Sequence, residues 1–155
     1  MTDLPRVLLV PVDGSKNACA AAAYAAALAA KLDVPVRLLF AFPKSPVDLY
    51  GFPTEGHDFE RLKRFTAENF ERLRNDAAGR AFEAARKAIG DTSVALEEKI
   101  LGGDAGQAIL QHAAKVPGAL LVIGRRGLSR FKELVMGSTT QRVLHHSKCP
   151  VLVVH

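Results

Sequence analysis

Four short apolar runs and a fifth, partly alternating segment, spaced by stretches of helical periodicity, constrain this chain more than any other feature. Arg6 to Val12 and Ala119 to Ile123 are almost wholly apolar, as strands covered on both faces require. Such strands pair in parallel only when a longer segment, usually a helix, crosses between them, and right-handed crossovers place those helices on both faces of an open sheet. The alternation therefore predicts an α/β chain with a twisted, open, five-stranded parallel sheet of Rossmann-like design.

The first strand ends at Asp13-Gly14-Ser15, where Ser15 can cap a helix over Ala18 to Leu32, a segment dominated by alanine. Val34 to Phe42 reads as the second strand, with Pro35 near its start where no ladder donor is needed. Pro43 to Gly56, with three prolines and two glycines, reads as an irregular excursion. From about His57 to Ile89, Phe59, Leu62, Phe65, Phe70, Leu73, Ala77, Ala81 and Ala85 recur at largely helical spacing among charges. That pattern predicts a long amphipathic helix whose phenylalanines face the sheet and which Gly79 loosens or kinks. Val94 to Leu101 carries Glu97, Glu98 and Lys99 in its middle and suits an edge or near-edge strand. Asp104 then caps a helix to about Lys115, which Pro117-Gly118 closes. After the fourth strand come a glycine-bearing connection, a helix from about Ser138 to His146, and the strand Val151 to Val154. No repeat and no second unit is visible, so residues 1–155 read as one domain.

Composition removes several classes. No run of about 18 apolar residues is present, so no membrane span is expected, and the acidic, broken N-terminus does not read as a signal peptide. Cys19 and Cys149 lack metal or redox spacing and read as reduced thiols of a cytoplasmic protein. The net charge of +5 does not imply nucleic acid: basic and acidic residues interleave along Glu55 to Lys87, without alternating aromatics. The local cluster of Arg125, Arg126, Arg130 and Lys132 is explained more simply by ligand phosphates.

That cluster lies within a glycine motif in which nine residues separate Gly124-Arg125-Arg126-Gly127 from Gly137-Ser138-Thr139. Glycine at a strand end permits left-handed angles and close approach of a ligand to the main chain. Ser138 and Thr139 offer N–H and O–H groups where a helix begins, and that end carries about half a positive charge. The pattern is neither Gly-x4-Gly-Lys-Ser/Thr nor Gly-x-Gly-x2-Gly. His-x-Gly-His and Ser-Gly-Gly-x-Asp-Ser, which related nucleotidyltransferases and adenylating pyrophosphatases need, are also missing. The five histidines show no metal spacing and read as surface residues, and no serine, histidine and acid set is forced together.

The spacing Gly-x2-Gly-x9-Gly-Ser resembles the ATP-binding signature of the universal stress protein family. The opening Val7-Leu8-Leu9-Val10-Pro11-Val12-Asp13-Gly14-Ser15 and the closing Cys149-Pro150-Val151-Leu152-Val153-Val154 extend the resemblance over nearly the whole chain. The resemblance implies strand order 3-2-1-4-5, with the first and fourth strands adjacent at a switch point. It implies that Pro11, Val12 and Asp13 line the base and ribose side and that Ala41 borders adenine. Ile123, Gly124 and Gly127 would line ribose and phosphates, with Gly137, Ser138 and Thr139 gripping the phosphates. Asp13 can instead serve the turn, and Arg126 can pair with phosphate or face solvent. The implied ligand is ATP with Mg2+ or Mn2+ bound through its phosphates, and the implied assembly is a homodimer through strand 151–154. The implied role is a nucleotide-dependent sensor or regulator of a stress response, at most a weak ATPase because no catalytic base is identifiable. The alternatives are a slow nucleotide hydrolase or transferase, and a nucleotide-free dimeric stress protein.

Overall fold

In the computed structural model, which describes residues 3–50, 67–127 and 136–155, five parallel strands form one sheet. They are β1 (Val7–Pro11), β2 (Val36–Phe42), β3 (Leu96–Gly102), β4 (Ala119–Gly124) and β5 (Val151–Val154), in the order β3-β2-β1-β4-β5. The helices are α1 (Lys16–Leu32), α2 (Pro46–Tyr50), α3 (Ala67–Ile89), α4 (Ala105–Ala114) and α5 (Ser138–His146). Leu8 of β1 stands beside Val36 of β2 on one side and Leu120 of β4 on the other. The expected order and parallel pairing are those observed.

Alternation along β1 divides the core into two layers. Leu8 and Val10 pack with Ala21, Ala25 and Ala29 of α1 and with Ala78, Ala81 and Phe82 of α3. Val7 and Leu9 pack with Ala108, Ile109 and Ala113 of α4 and Val143 of α5. Leu8 and Leu9 are fully buried, each contributing about 1.5–3 kcal/mol relative to exposure. The helices thus cover both faces and leave the strand ends free to form a site.

Three local expectations change. The excursion after β2 contains α2, which opens on Ser45: its Oγ accepts from Asp48 N (3.2 Å) and donates to Asp48 Oδ2 (2.9 Å), with Pro46 in the first helical position. On α3, Phe70, Ala81 and Ala85 are buried as expected, but Leu73 is exposed, and Ala78 and Phe82 complete the buried stripe. Gly79 sits inside α3 with open space beside it and does not interrupt the helix. The expected start of that helix, His57 to Thr66, lies outside the described residues. Among the described residues no helix is long and apolar enough to cross a membrane.

Candidate functional site

Two strand-to-helix turns meet where β1 and β4 lie side by side. In the first, Gly14 adopts φ +83°, a left-handed angle that glycine takes without strain. This turns the chain so that Asp13 Oδ1 accepts from Ser15 N (2.9 Å) and Ser15 Oγ accepts from Ala18 N (3.2 Å), capping α1. Asp13 therefore serves the turn with one oxygen while its side chain borders the cavity described below.

In the second turn, β4 ends at Gly124, which is held from several sides. Arg125 N donates to Val154 O of β5 (3.0 Å), and Thr140 Oγ1 of α5 donates to Gly124 O (2.8 Å). A Cβ added to Gly124 would stand 2.7 Å from the carbonyl carbon and oxygen of Asn17 in α1, well inside the optimal separation of about 3.5–4.0 Å. Glycine is required there by the close approach of α1. Left-handed angles are not the reason, since none of Gly124, Gly127 and Gly137 has a positive φ. A Cβ on Gly127 would come 2.5 Å from Asp13 Oδ2, so a side chain there would have to displace that carboxylate tip.

Gly137 N donates to Arg125 O (2.8 Å), closing the connection on itself, and Gly137 then caps α5 with ordinary extended angles, φ −67° and ψ 152°. Gly137 has no side chain with which to cap α5, and no side chain among the described residues accepts from its first turn. Ser15, Ser45 and Asp104 do accept from the first turns of α1, α2 and α4. The leading amides of a helix have no intrahelical partner, so those of α5 remain available as donors.

The structure brings together all eleven residues expected at the site, around one cavity of about 310 Å³. That volume lies at the lower end of small-molecule pockets, about 300–1,000 Å³. Pro11, Val12 and Asp13 come from the end of β1, Ala41 from β2, and Ile123 and Gly124 from β4. Arg126 and Gly127 come from the connection, and Gly137, Ser138 and Thr139 from the start of α5. Sequence reasoning missed Leu39 and Phe40 of β2, Ala18 of α1, Ala105 and Ile109 of α4, and Thr140. Leu39 could have been found, two residues before Ala41 on the same strand face; the α4 wall is a long-range contact with no local signal.

A second cavity, about 400 Å³, lies behind the β1–α1 turn against α3, lined by Gly14, Phe40, Ala77 and Arg80 among others. It has no helix N-terminus in its wall, whereas the first sits at the switch point where open α/β sheets bind ligands. The first is therefore the candidate site.

Its electrostatics favour an anion. Arg126 is half-buried, and its Nε is fully buried with no hydrogen-bond partner among the described residues, a state that costs free energy until an acceptor arrives. Burial, then the nearby Asp13 carboxylate, pushes the Cys19 thiol up, which disfavours the nucleophilic thiolate. Among the described residues no group of three or more His, Cys, Asp or Glu side chains gathers to hold a metal. His145 and His146 are exposed, as expected, but His112 is half-buried beneath Arg37.

An open parallel sheet covered by helices, with a cavity at its switch point, defines a doubly wound α/β protein. Within that class the chain belongs to the universal stress protein family, whose sequence pattern matches residues 5–155. It is 32% identical over 150 residues to a universal stress protein of Thermus aquaticus, covering 96% of this chain and 98% of that one. The solved universal stress protein UspA from Lactobacillus plantarum shares the fold with a TM-score of 0.71 at 22% identity, over 99% of this chain and 100% of the other. A universal stress protein solved in complex with cAMP is 26% identical, with a TM-score of 0.60 and 99% coverage of this chain and of that one.

Proposed function

We propose that this chain binds an adenine nucleotide, ATP first, in the β1–β4 cavity and acts in the cytoplasm as a nucleotide-dependent sensor or regulator of a stress response. The observation that carries the reading is a pair of donors beside one cavity that meet no side-chain acceptor among the described residues: the first turn of α5 and the buried Nε of Arg126. Phosphate oxygens satisfy both. Val12, Leu39, Ala41 and Ile109 give the base an apolar wall, and Asp13 can accept from a ribose hydroxyl. Gly127, Gly137, Ser138 and Thr139 then surround the phosphates. The related protein that holds cAMP supports the adenine assignment. A divalent cation, Mg2+ or Mn2+, fits only as a passenger on the phosphates, because the described wall offers a single carboxylate.

Binding rather than turnover is the role. Backbone amides and hydroxyls hold ground state and transition state about equally, and uniform binding does not accelerate chemistry. Asp13 is the one carboxylate in the described wall, and its Oδ1 is engaged by Ser15 N. Mass analysis of nucleotide that copurifies with the protein, followed by calorimetry with ATP, AMP and cAMP, tests this reading. ATP bound and released unchanged is expected. No binding of any of the three removes the proposal, and rapid phosphate release that disappears in Ser138→Ala replaces the sensor with a hydrolase.

The proposed assembly is a homodimer through β5, whose four residues are all aliphatic and half-buried and which pairs only with β4 among the described strands. An apolar edge invites antiparallel pairing with a second copy. Light scattering at micromolar concentration should show a dimer that Val153→Lys shifts to monomer. A monomeric wild type removes the dimer.

A further inference from the structure

On β2, Arg37, Leu39 and Ala41 occupy alternate positions on the face that α4 covers. On α4, Ala105, Ile109 and His112 follow one another at spacings of four and three, one helix face. The two rows run together. Leu39, Ala41, Ala105 and Ile109 line the cavity, and at the far end of the same rows Arg37 Nη1 lies 3.4 Å from His112 Nε2. A guanidinium can only donate, so the imidazole accepts through Nε2 and must be neutral to do so, its proton on Nδ1.

The charged groups around that ring come from three elements. Arg37 stands on β2, Lys99 on β3, and Lys115 just past the end of α4. Glu97 of β3 is the nearby acid and is engaged by Arg37 Nε at 2.7 Å. From α5, Arg142 pairs with Asp104 at the opposite end of α4 (2.6 Å), while β1 and β4 face α4 with Leu9 and Leu121. Burial, then Lys99, Arg37 and Lys115, hold the imidazole below its ordinary pKa range.

We propose that His112 is a pH-sensitive latch: neutral, it ties the last turn of α4 to Arg37 of β2, and protonated, it releases that turn and loosens the cavity wall at Ile109 and Ala105. The effect on ligand rests on the nucleotide reading above; the latch does not. Above the ordinary imidazole range the ring is neutral in both folded and unfolded chains and nothing is lost. As pH falls through that range the unfolded chain takes up the proton first, so the fold loses free energy until the half-buried ring is protonated too. A protonated ring also cannot accept from Arg37 and adds a fourth cation to the cluster.

Hydrogen exchange at the Ile109 and Leu110 amides, corrected for intrinsic rates, reads the latch directly. Between about pH 7.5 and about pH 5.5, protection in the wild type should fall about three- to tenfold, and in His112→Gln, which keeps an acceptor without titrating, by less than about twofold. The ATP dissociation constant should rise by a similar factor in the wild type alone. Equal loss of protection in His112→Gln, or constant protection in the wild type, overturns the latch. Protection that falls while ATP binds at neither pH leaves the latch standing and removes the nucleotide reading. If His112→Gln does not fold, Arg37→Gln serves instead. The His112 titration followed by NMR should then move up toward the ordinary range, and an unmoved midpoint overturns the proposal.

Discussion

The β1–α1 turn and the β4–α5 connection occupy equivalent places, each carrying a strand's C-terminal end into a helix beside the same cavity, yet they finish differently. The first is closed by its own side chains: Asp13 accepts from Ser15 N, and Ser15 accepts from Ala18 N. In the second, Thr140 bonds to Gly124 O and Gly137 N to Arg125 O, and among the described residues no side chain accepts from the first turn of α5. A helix start that supplies its own cap has met part of its need for an anion or acceptor. One that begins on glycine, beside a guanidinium nitrogen with no partner among the described residues, has not. The difference separates a structural turn from a binding turn, although both contain glycine and serine.

The largest expected effect breaks the framework of the second turn. Gly124→Ala places a methyl group 2.7 Å from the Asn17 backbone, and a backbone cannot rotate away as a side chain can. Destabilisation of about 2–3 kcal/mol or more is expected in urea unfolding. A change within about 0.5 kcal/mol would show that α1 does not press on this strand end.

Next in size is the attempt to make the second turn like the first. Gly137 has ordinary cap angles, and a Cβ there finds Arg126 Cα no nearer than 3.4 Å, so Gly137→Asp fits and can cap α5. Stability should rise by a few tenths of a kcal/mol, the usual gain of aspartate over glycine at this position. Nucleotide affinity should fall about tenfold or more, because the carboxylate takes the amides and repels the phosphates. Calorimetry showing unchanged ATP affinity in a folded Gly137→Asp protein would mean that the α5 start is not where the anion sits.

Much of this contrast was legible before the structure, and the reason is local. Runs such as Val7 to Val10 and Ala119 to Ile123 announce strands because burial on both faces leaves no room for polar residues. Glu97, Glu98 and Lys99 marked β3 as an edge, and the fold places Glu97 against Arg37 and Glu98 against Arg86 there. Strand order was not legible from periodicity, since pairing β1 with β4 joins residues more than a hundred positions apart; it came from resemblance to a family. The reason for glycine at position 124 differs from the one the sequence suggests: it answers to the Asn17 backbone rather than to a left-handed angle. Thr140 and Ile109 escaped because each reaches the cavity from a helix face whose direction only packing sets. α2 is hidden in the sequence because Ser45-Pro46 sits in a run rich in proline and glycine, though a capping serine followed by proline is also how a helix begins.

The smallest expected effect tests the first turn. Ser15 is buried and its Oγ meets the Ala18 amide, so Ser15→Ala removes that acceptor and leaves a buried N–H without a partner. Loss of a serine cap costs about 1 kcal/mol, here felt mainly by α1 and the Ala21, Ala25 and Ala29 layer it lays on the sheet. The Asp13 to Ser15 N contact involves the backbone and survives the substitution. Asp13 should therefore keep its place beside the cavity, and ATP affinity should change by less than about twofold, under about 0.5 kcal/mol. Urea unfolding and calorimetry on the same preparation separate the two quantities. A tenfold loss of affinity in Ser15→Ala would mean that the β1–α1 turn also grips the ligand, and the division between a structural turn and a binding turn would fail.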